Sequence, residues 1–279
     1  MDSAVLEMTG ELRDELAAND EIRVVDPRTV PVRFSTLKLM AESPAHYLSA
    51  VQSGYEESLS MRIGTGTHAI LFGQPYVVWA GKTRNGKAWT EFESAHTGEV
   101  ILSQAEFAKA MRMATAIRNH ETASRLLFTD TVLEQRIDWE WQGRSFRSTP
   151  DAAGRTHCVD LKCLRSANPE KVKWQSRDMF YHAQASTYRR ALNSTGKHNI
   201  KESYLVVVEN KRPHLVTVLR FTETALETGD RAAASWLEQL LQCEASNKFP
   251  GYVETIVDLD VPATMDDFIF DDEQEEETE

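Results

Sequence analysis

A chain of 279 residues with 41% hydrophobic content is long enough for one large domain with a full core, and no run of 18 apolar residues offers a membrane span. Three cysteines, Cys158, Cys163 and Cys243, are too few for a disulfide framework or a four-cysteine metal site, and favour a reducing, intracellular setting. The net charge of −12 argues against nucleic acid at first, but nine of the 43 acids lie in the last fourteen residues, "DDFIFDDEQEEETE" (266–279); the remainder sets 34 acids against 31 bases. A nearly neutral body of this kind can carry a local basic groove. Three parts are expected: a peripheral segment 1–30, a domain over 31–262, and an acidic, disordered tail over 263–279. The N-terminus, "MDSAVLEMTGELRDELAAND", is acidic and lacks the apolar stretch of a signal peptide.

In chain order, "STLKLMAESPAHYLSAVQ" (35–52) has helical spacing with Ser35 as cap, and Pro44 breaks it or opens a second helix. "MRIGTGTHAILFG" (61–73) reads as a glycine-rich turn running into a helix that ends near Gly73. Residues 76–102 are mixed, with "TRNGKAW" as an exposed turn. The spacing predicts one long helix over 103–128, capped by Ser103, with Phe107, Met111, Ala114 and Ile117 along its buried face. "VLEQRIDWEW" (132–141) alternates as a strand, "QGR" turns, "SFRSTPDAA" returns, and "THCVDLKCL" (156–164) is the next strand. A helix over 168–193 opens at Asn168-Pro169, two strands follow, and an amphipathic helix starts at Thr222. Strands in the middle with helices on either side give an α/β class, a central mixed sheet flanked by helices.

Within "STPDAAGRTHCVDLKCLR" (148–165), Asp151 closes one strand and Asp160 lies on the next. Neighbouring strands are about 4.8 Å apart, so the two carboxylates can meet on one hard cation such as Mg²⁺ or Mn²⁺. Alternation puts Asp160 and Lys162 on one face and Leu161 on the other. Taken alone, this stretch reads as a surface hairpin with solvated charges, because short Asp/Lys patterns are common.

Residues farther along the chain add to it. Gly64 to His68, Pro150-Asp151, Asp160-Leu161-Lys162, and Gln184 to Tyr188 occur in this order. The set resembles the PD-(D/E)xK nuclease superfamily, its RecB-like branch, and most closely the exonuclease VIII (RecE-type) nuclease domain of phages and prophages, over roughly residues 33–260. The resemblance implies a PD-(D/E)xK nuclease core and a Mg²⁺-dependent exodeoxyribonuclease, with Mn²⁺ as a substitute. The implied substrate is linear double-stranded DNA, digested from the 5′ end to leave a 3′ single strand. It implies a RecT-like single-strand annealing protein as partner, a homo-oligomeric ring, and the cytoplasm of a bacterial host. Asp151 and Asp160 would ligate metal, with the Leu161 carbonyl and His68 beside them. Lys162 would position water and stabilise the phosphate, and Gln184 and Tyr188 would face the site. Glu134 is a further acidic ligand or a surface strand glutamate. Lys171, Lys173, Trp174 and Arg177 could meet DNA by phosphate contact and stacking, or form a solvated helix face. Arg33, Lys38 and Arg62 could bind a DNA end. The competing readings are a non-catalytic DNA-end or partner-binding module, and an acidic DNA-mimic inhibitor; a carboxylate-pair glycosidase fits poorly with Lys162.

Overall fold

The computed structural model describes residues 25–54 and 58–259; the acidic tail and residues 1–24 lie outside these, and with them the expected tail and most of the expected peripheral segment. The chain opens with a 3₁₀ turn, Pro27–Thr29, then helix α1 (Phe34–Leu37), a second 3₁₀ turn (Lys38–Ala41) and α2 (Pro44–Ser53). Ser43 caps α2 by accepting from the His46 N–H, and Pro44 occupies its first turn, so the proline opens a second helix. The first cap position belongs to Arg33, not Ser35.

Helix α3 (Leu59–Phe72) is capped by Ser58 and ended by Gly73 in the left-handed region (φ 72°). The "GTGT" run lies inside this helix and forms no turn. A Cβ on Gly66 would sit 2.7 and 2.9 Å from the Leu102 methyl carbons, so the glycine serves close packing. Strand β1 (Tyr76–Trp79), α4 (Gly86–Ala95) and β2 (Val100–Ser103) make a small parallel pair with its crossover helix. The predicted 103–128 helix is two helices, α5 (Gln104–Asn119) and α6 (Glu121–Phe128). His120, at ψ 104°, ends the first and caps the second through Nδ1. Ser103 and Glu106 form a capping box, and the buried face runs through Ala110, Met113, Ala114 and Ile117 while Met111 is exposed.

The expected 132–141 strand divides at Glu134, whose φ is 49°. Strand β3 (Val132–Leu133) joins the main sheet, whereas β4 (Ile137–Trp141) and β5 (Arg144–Ser148) form a separate hairpin turned by Gln142 and Gly143, both at positive φ. After Pro150 come β6 (Ala152–Ala153) and β7 (His157–Leu164), then α7 (Pro169–Asp178), α8 (Tyr181–Ser194), β8 (Glu202–Glu209), β9 (Val216–Arg220) and α9 (Glu223–Ser246). The predicted 168–193 helix is likewise two, because Phe180 takes the left-handed conformation (φ 59°) between α7 and α8.

The main sheet has order β3-β6-β7-β8-β9; β7 and β8 are parallel, and the other pairs are antiparallel. Alternation along β7 sends Val159 and Leu161 into a core with Ile63 and Leu71 of α3, Met113 and Ile117 of α5, and Leu127 of α6. It sends Cys158 and Leu164 to the opposite face, where Leu192 of α8 and Tyr181 pack. Helix α9 packs on α8 and carries Trp236, Leu237 and Leu240 against Phe34, Leu37, Tyr47 and the hairpin residues Trp141 and Phe146. The α8–α9 approach is backbone to backbone: a Cβ on Gly229 would lie 2.5 Å from the His182 carbonyl oxygen and 2.7 Å from the Ala183 Cα. Gly229→Ala is therefore expected to destabilise the fold by about 1–3 kcal/mol, read as a lower urea midpoint. Unchanged stability would mean the two helices separate freely.

Candidate metal centre and cleft

The site arises where the sheet stops pairing. Strand β6 is two residues long because Pro150 supplies no donor, and it covers only Cys158 and Val159 of β7. Beyond them the β7 edge has no strand neighbour among the described residues, and side chains take its backbone groups. The Leu161 N–H donates to Asp151 Oδ2 at 2.5 Å, and the Leu161 carbonyl lies 3.2 Å from His68 Nε2. The other ring nitrogen, His68 Nδ1, faces Asp151 Oδ1 at 3.3 Å and Glu134 Oε1 at 3.6 Å. The positive φ of Glu134 ends β3 and turns its carboxylate to this group, while its own N–H donates to the Asp151 carbonyl at 3.0 Å.

One donor atom each from His68, Glu134 and Asp151 lie within 4.8 Å of one another, close enough to share one metal ion. Asp160 is not part of this trio. Alternation places it with Lys162, whose Nζ lies 2.7 Å from Asp160 Oδ2, yet that buried oxygen receives no well-directed hydrogen bond. The Lys162 ammonium also lies 5.4 Å from the Tyr181 ring centroid. The three donors that converge most closely are His68, Glu134 and Asp151. The set combines two hard carboxylates, which suit Mg²⁺ or Mn²⁺, with one borderline imidazole. Leu161 already offers its carbonyl to His68 and retains a second lone pair.

Electrostatics separate the two aspartates, which are 7% and 6% exposed. Burial raises the Asp151 pKa, but the His68 and Lys162 charges and the Leu161 N–H outweigh it, and the carboxyl falls below its ordinary range. Asp160 goes the other way: burial, aided by the Asp151 charge, exceeds the pull of Lys162. Burial disfavours charge on His68 as well, yet Asp151 and Glu134 hold the imidazole protonated well above its usual pKa. Lys162 is buried against its charge too, but Asp160 and Asp151 raise it. Without a cation the cluster is therefore held together by its own charges.

Around these groups opens a cleft of about 630 Å³ lined by Ser58, Met61, Gly64, Thr65, His68, Glu134, Asp151, Lys162, Cys163, Met179 and Tyr181, among others. Gln184 and Tyr188 do not line it. Gln184 Nε2 donates to the Tyr188 hydroxyl at 2.9 Å, and both line a smaller pocket of about 130 Å³ with Arg33, Arg147 and Thr149. Tyr188 still feels Asp160 and Lys162, and burial raises its pKa. Lys38 is half-buried, and burial and the Lys162 charge lower its pKa. Arg62 pairs with Glu106 at 3.1 Å, beside Arg84 on the same carboxylate at 2.5 Å, and so ties α3 to α5. Lys171, Lys173, Trp174 and Arg177 stand on the exposed side of α7; Arg177 stacks on Trp174 at 4.8 Å, and none of the four lines the central cleft. Arg147 and Thr149 escaped the sequence reading; their positions just before Pro150-Asp151 were the available signal.

A mixed sheet with a parallel central pair, and acids and a lysine at the open edge of one central strand, defines a nuclease-type α/β core. Residues 33–259 match the family described as PDDEXK-like domain of unknown function (DUF3799), and the chain belongs to that family. No curated protein matches it in sequence. Among solved structures, a putative exonuclease from Eubacterium rectale shares the fold, with 14% identity, a TM-score of 0.62, and 86% of this chain and 93% of that chain covered. An alkaline exonuclease from Laribacter hongkongensis is also similar, at 14% identity, TM-score 0.38, and 79% and 92% coverage. A phage-related exonuclease from Haemophilus somnus 129PT gives 13%, 0.35, and 76% and 96%. Among the described residues no helix is long and apolar enough to cross a membrane.

Proposed function

We propose that the chain is a divalent-metal-dependent exodeoxyribonuclease that hydrolyses linear double-stranded DNA, 5′ to 3′, leaving 3′ single strands for recombination by annealing. The observation that carries this reading is the convergence of His68, Glu134 and Asp151 beside Lys162, in an open cleft of a PDDEXK-like domain. The name of the similar Eubacterium rectale protein, a putative exonuclease, points the same way.

His68, Glu134 and Asp151, with the free lone pair of the Leu161 carbonyl, would hold the cation, Mg²⁺ before Mn²⁺. Such an ion lowers the pKa of a water and offsets charge on the scissile phosphate. His68 would direct Nδ1 inward while its Nε2–H stays on Leu161, which fixes tautomer and ring orientation. Lys162 supplies a positive charge in a cleft partly shielded from water, where it stabilises a phosphate better than in bulk solvent. Asp160 and the Tyr181 ring hold that ammonium in place. The small pocket of Arg33, Arg147, Thr149, Gln184 and Tyr188 offers two guanidinium groups and several hydroxyl and amide groups to a phosphate at the DNA end. A RecT-like annealing protein and a homo-oligomeric ring are the partners this reading implies; a ring would gather the basic residues of a nearly neutral body on its inner surface.

End-labelled linear duplex incubated with Mg²⁺ should release the 5′ label first, leave a circular control intact, and remain whole in chelator. Digestion in chelator, or of the circle, would overturn the proposal. Arg33→Ala should raise KM about tenfold on 5′-phosphorylated ends and little on 5′-hydroxyl ends, as expected for one charge-assisted contact of about 1.5 kcal/mol.

A further inference from the structure

A second cleft, of about 610 Å³, lies between α7, the end of β9 and the first turns of α9. Its floor is apolar: Leu205 is buried, and Leu219, Phe221 and Ala225 are half-buried. Lys173, Arg177 and Arg220 line it against a single lining acid, Glu170. These cations sit in surface pairs, Lys173 with Glu170 at 4.0 Å, Arg177 with Asp178 at 2.9 Å and Arg220 with Glu202 at 2.9 Å. All three pairs face solvent and hold weakly, so an incoming carboxylate can exchange into them.

Past the other end of α9 the chain carries the complement. It is anchored at Tyr252, whose hydroxyl donates to Glu42 Oε1 at 3.0 Å. The next residues, 253–259 ("VETIVDL"), form no regular element and, among the described residues, no hydrogen bond or ion pair. Val253, Ile256, Val257 and Leu259 are 69%, 97%, 64% and 89% exposed. A contiguous exposed apolar run of this kind marks an interaction surface, as single scattered residues do not. Glu254 and Asp258 are the arm's only charges. In an extended arm Val253, Val257 and Leu259 share one side, and the two acids lie on the other. That is the pattern an apolar floor under a basic rim requires; a nucleic-acid backbone would use the rim and gain nothing from the floor. The arm does not line the cleft of its own chain. From Tyr252 to Leu259 it spans at most about 25 Å. Helix α9, with the cleft at its first turns and the arm past its last, has 24 residues and a length of about 36 Å. Reach therefore favours the cleft of a neighbour.

We propose that residues 253–259 of one copy dock in the cleft between α7 and α9 of a second copy, the aliphatic side on the Leu219 and Phe221 floor and the two acids against Lys173, Arg177 and Arg220. Arm and cleft are different surfaces, so each copy gives one and receives one. Head-to-tail contact of this kind closes into a ring or runs on as a filament. The proposal rests only on the oligomeric part of the function proposed above, and supplies the two faces that meet.

Sedimentation of the full chain over a range of concentrations should show self-association. Val257→Ser with Leu259→Ser, and separately Arg177→Glu with Arg220→Glu, should each weaken it about tenfold, with circular dichroism reporting intact folding. A mixture of these two variants should associate more tightly than either alone, since one keeps its cleft and the other its arm. A chain with Leu259→Cys and a chain with Thr224→Cys, mixed under oxidised glutathione, should cross-link to each other faster than either does to itself. A monomer at every concentration would overturn the proposal. So would association indifferent to both sets of substitutions, which would leave an oligomer built on other faces. Cross-linking inside one chain that carries both cysteines, without a change of mass, would put the arm in its own cleft instead. Loss of oligonucleotide binding in the charge reversals, with self-association unchanged, would assign the cleft to nucleic acid. None of these readouts depends on nuclease activity, so the outcome is separate from that of the hydrolysis reading.

Discussion

Asp151→Asn should reduce DNA hydrolysis by on the order of 10³-fold, a larger loss than for any other single substitution in the cleft. The residue does two things at once: Oδ2 accepts the Leu161 N–H, and Oδ1 is one of the three converging donors. Asparagine keeps the shape and can keep the Leu161 bond, but loses the charge and one hard oxygen donor. Calorimetry should therefore show weakened Mn²⁺ or Mg²⁺ binding together with the lost rate. Asp160→Asn is the control. Asp160 stands outside the donor cluster and holds Lys162, so its replacement should slow hydrolysis while leaving metal affinity closer to wild type. Full activity of Asp151→Asn, or equal loss of metal binding in both variants, would refute this assignment of roles.

The second large effect lies away from the cleft. Arg144 and Glu244 form a buried pair, 8% and 7% exposed, with Nε 3.1 Å from both carboxylate oxygens. The same guanidinium donates to the Pro27 and Val30 carbonyls at 2.5 and 3.0 Å, so it ties the first described residues to the β5 start and to α9. Residues 25–30 are thus fastened to the domain. Arg144→Ala leaves a buried carboxylate and two carbonyls without their donor and should cost about 3–5 kcal/mol in urea unfolding, at unchanged m-value. The double substitution Arg144→Met, Glu244→Leu should recover most of that loss, because it removes the uncompensated charge along with its partner. A double variant as unstable as the single would show that the carbonyl bonds, and not the ion pair, dominate.

The regular elements were largely legible. Strand patterns found β7 and β8, and cap residues located the starts of α5 and α7, because those signals are local. The breaks were not legible. His120, Glu134 and Phe180 interrupt continuous patterns with backbone conformations their side chains do not announce; a glycine at Phe180 would have marked the corner between α7 and α8. On α5, Ala114 and Ile117 are buried as expected, whereas Met111 is apolar yet exposed and Ala110 and Met113 are buried in its place. The two glycines of "GTGT" suggested a turn, but Gly66 answers to Leu102, thirty-six positions on. At the site, residue order singled out His68, Asp151 and Lys162, which the fold brings to one cleft. That Glu134 lies closer to His68 and Asp151 than Asp160 does depends on where β3 and β6 end, which is a tertiary fact.

The hydrogen bond from the Glu134 amide to the Asp151 carbonyl has a further meaning. It joins the two carboxylate-bearing loops through their main chains, and the Leu161 amide on Asp151 Oδ2 fastens that unit to β7. Both amide protons should be among the slowest in the cleft to exchange with deuterated solvent, with or without a divalent ion. A ligand entering such a prearranged cage spends little of its binding energy on ordering loops, so affinity should track the number of charges in the cage more closely than its flexibility.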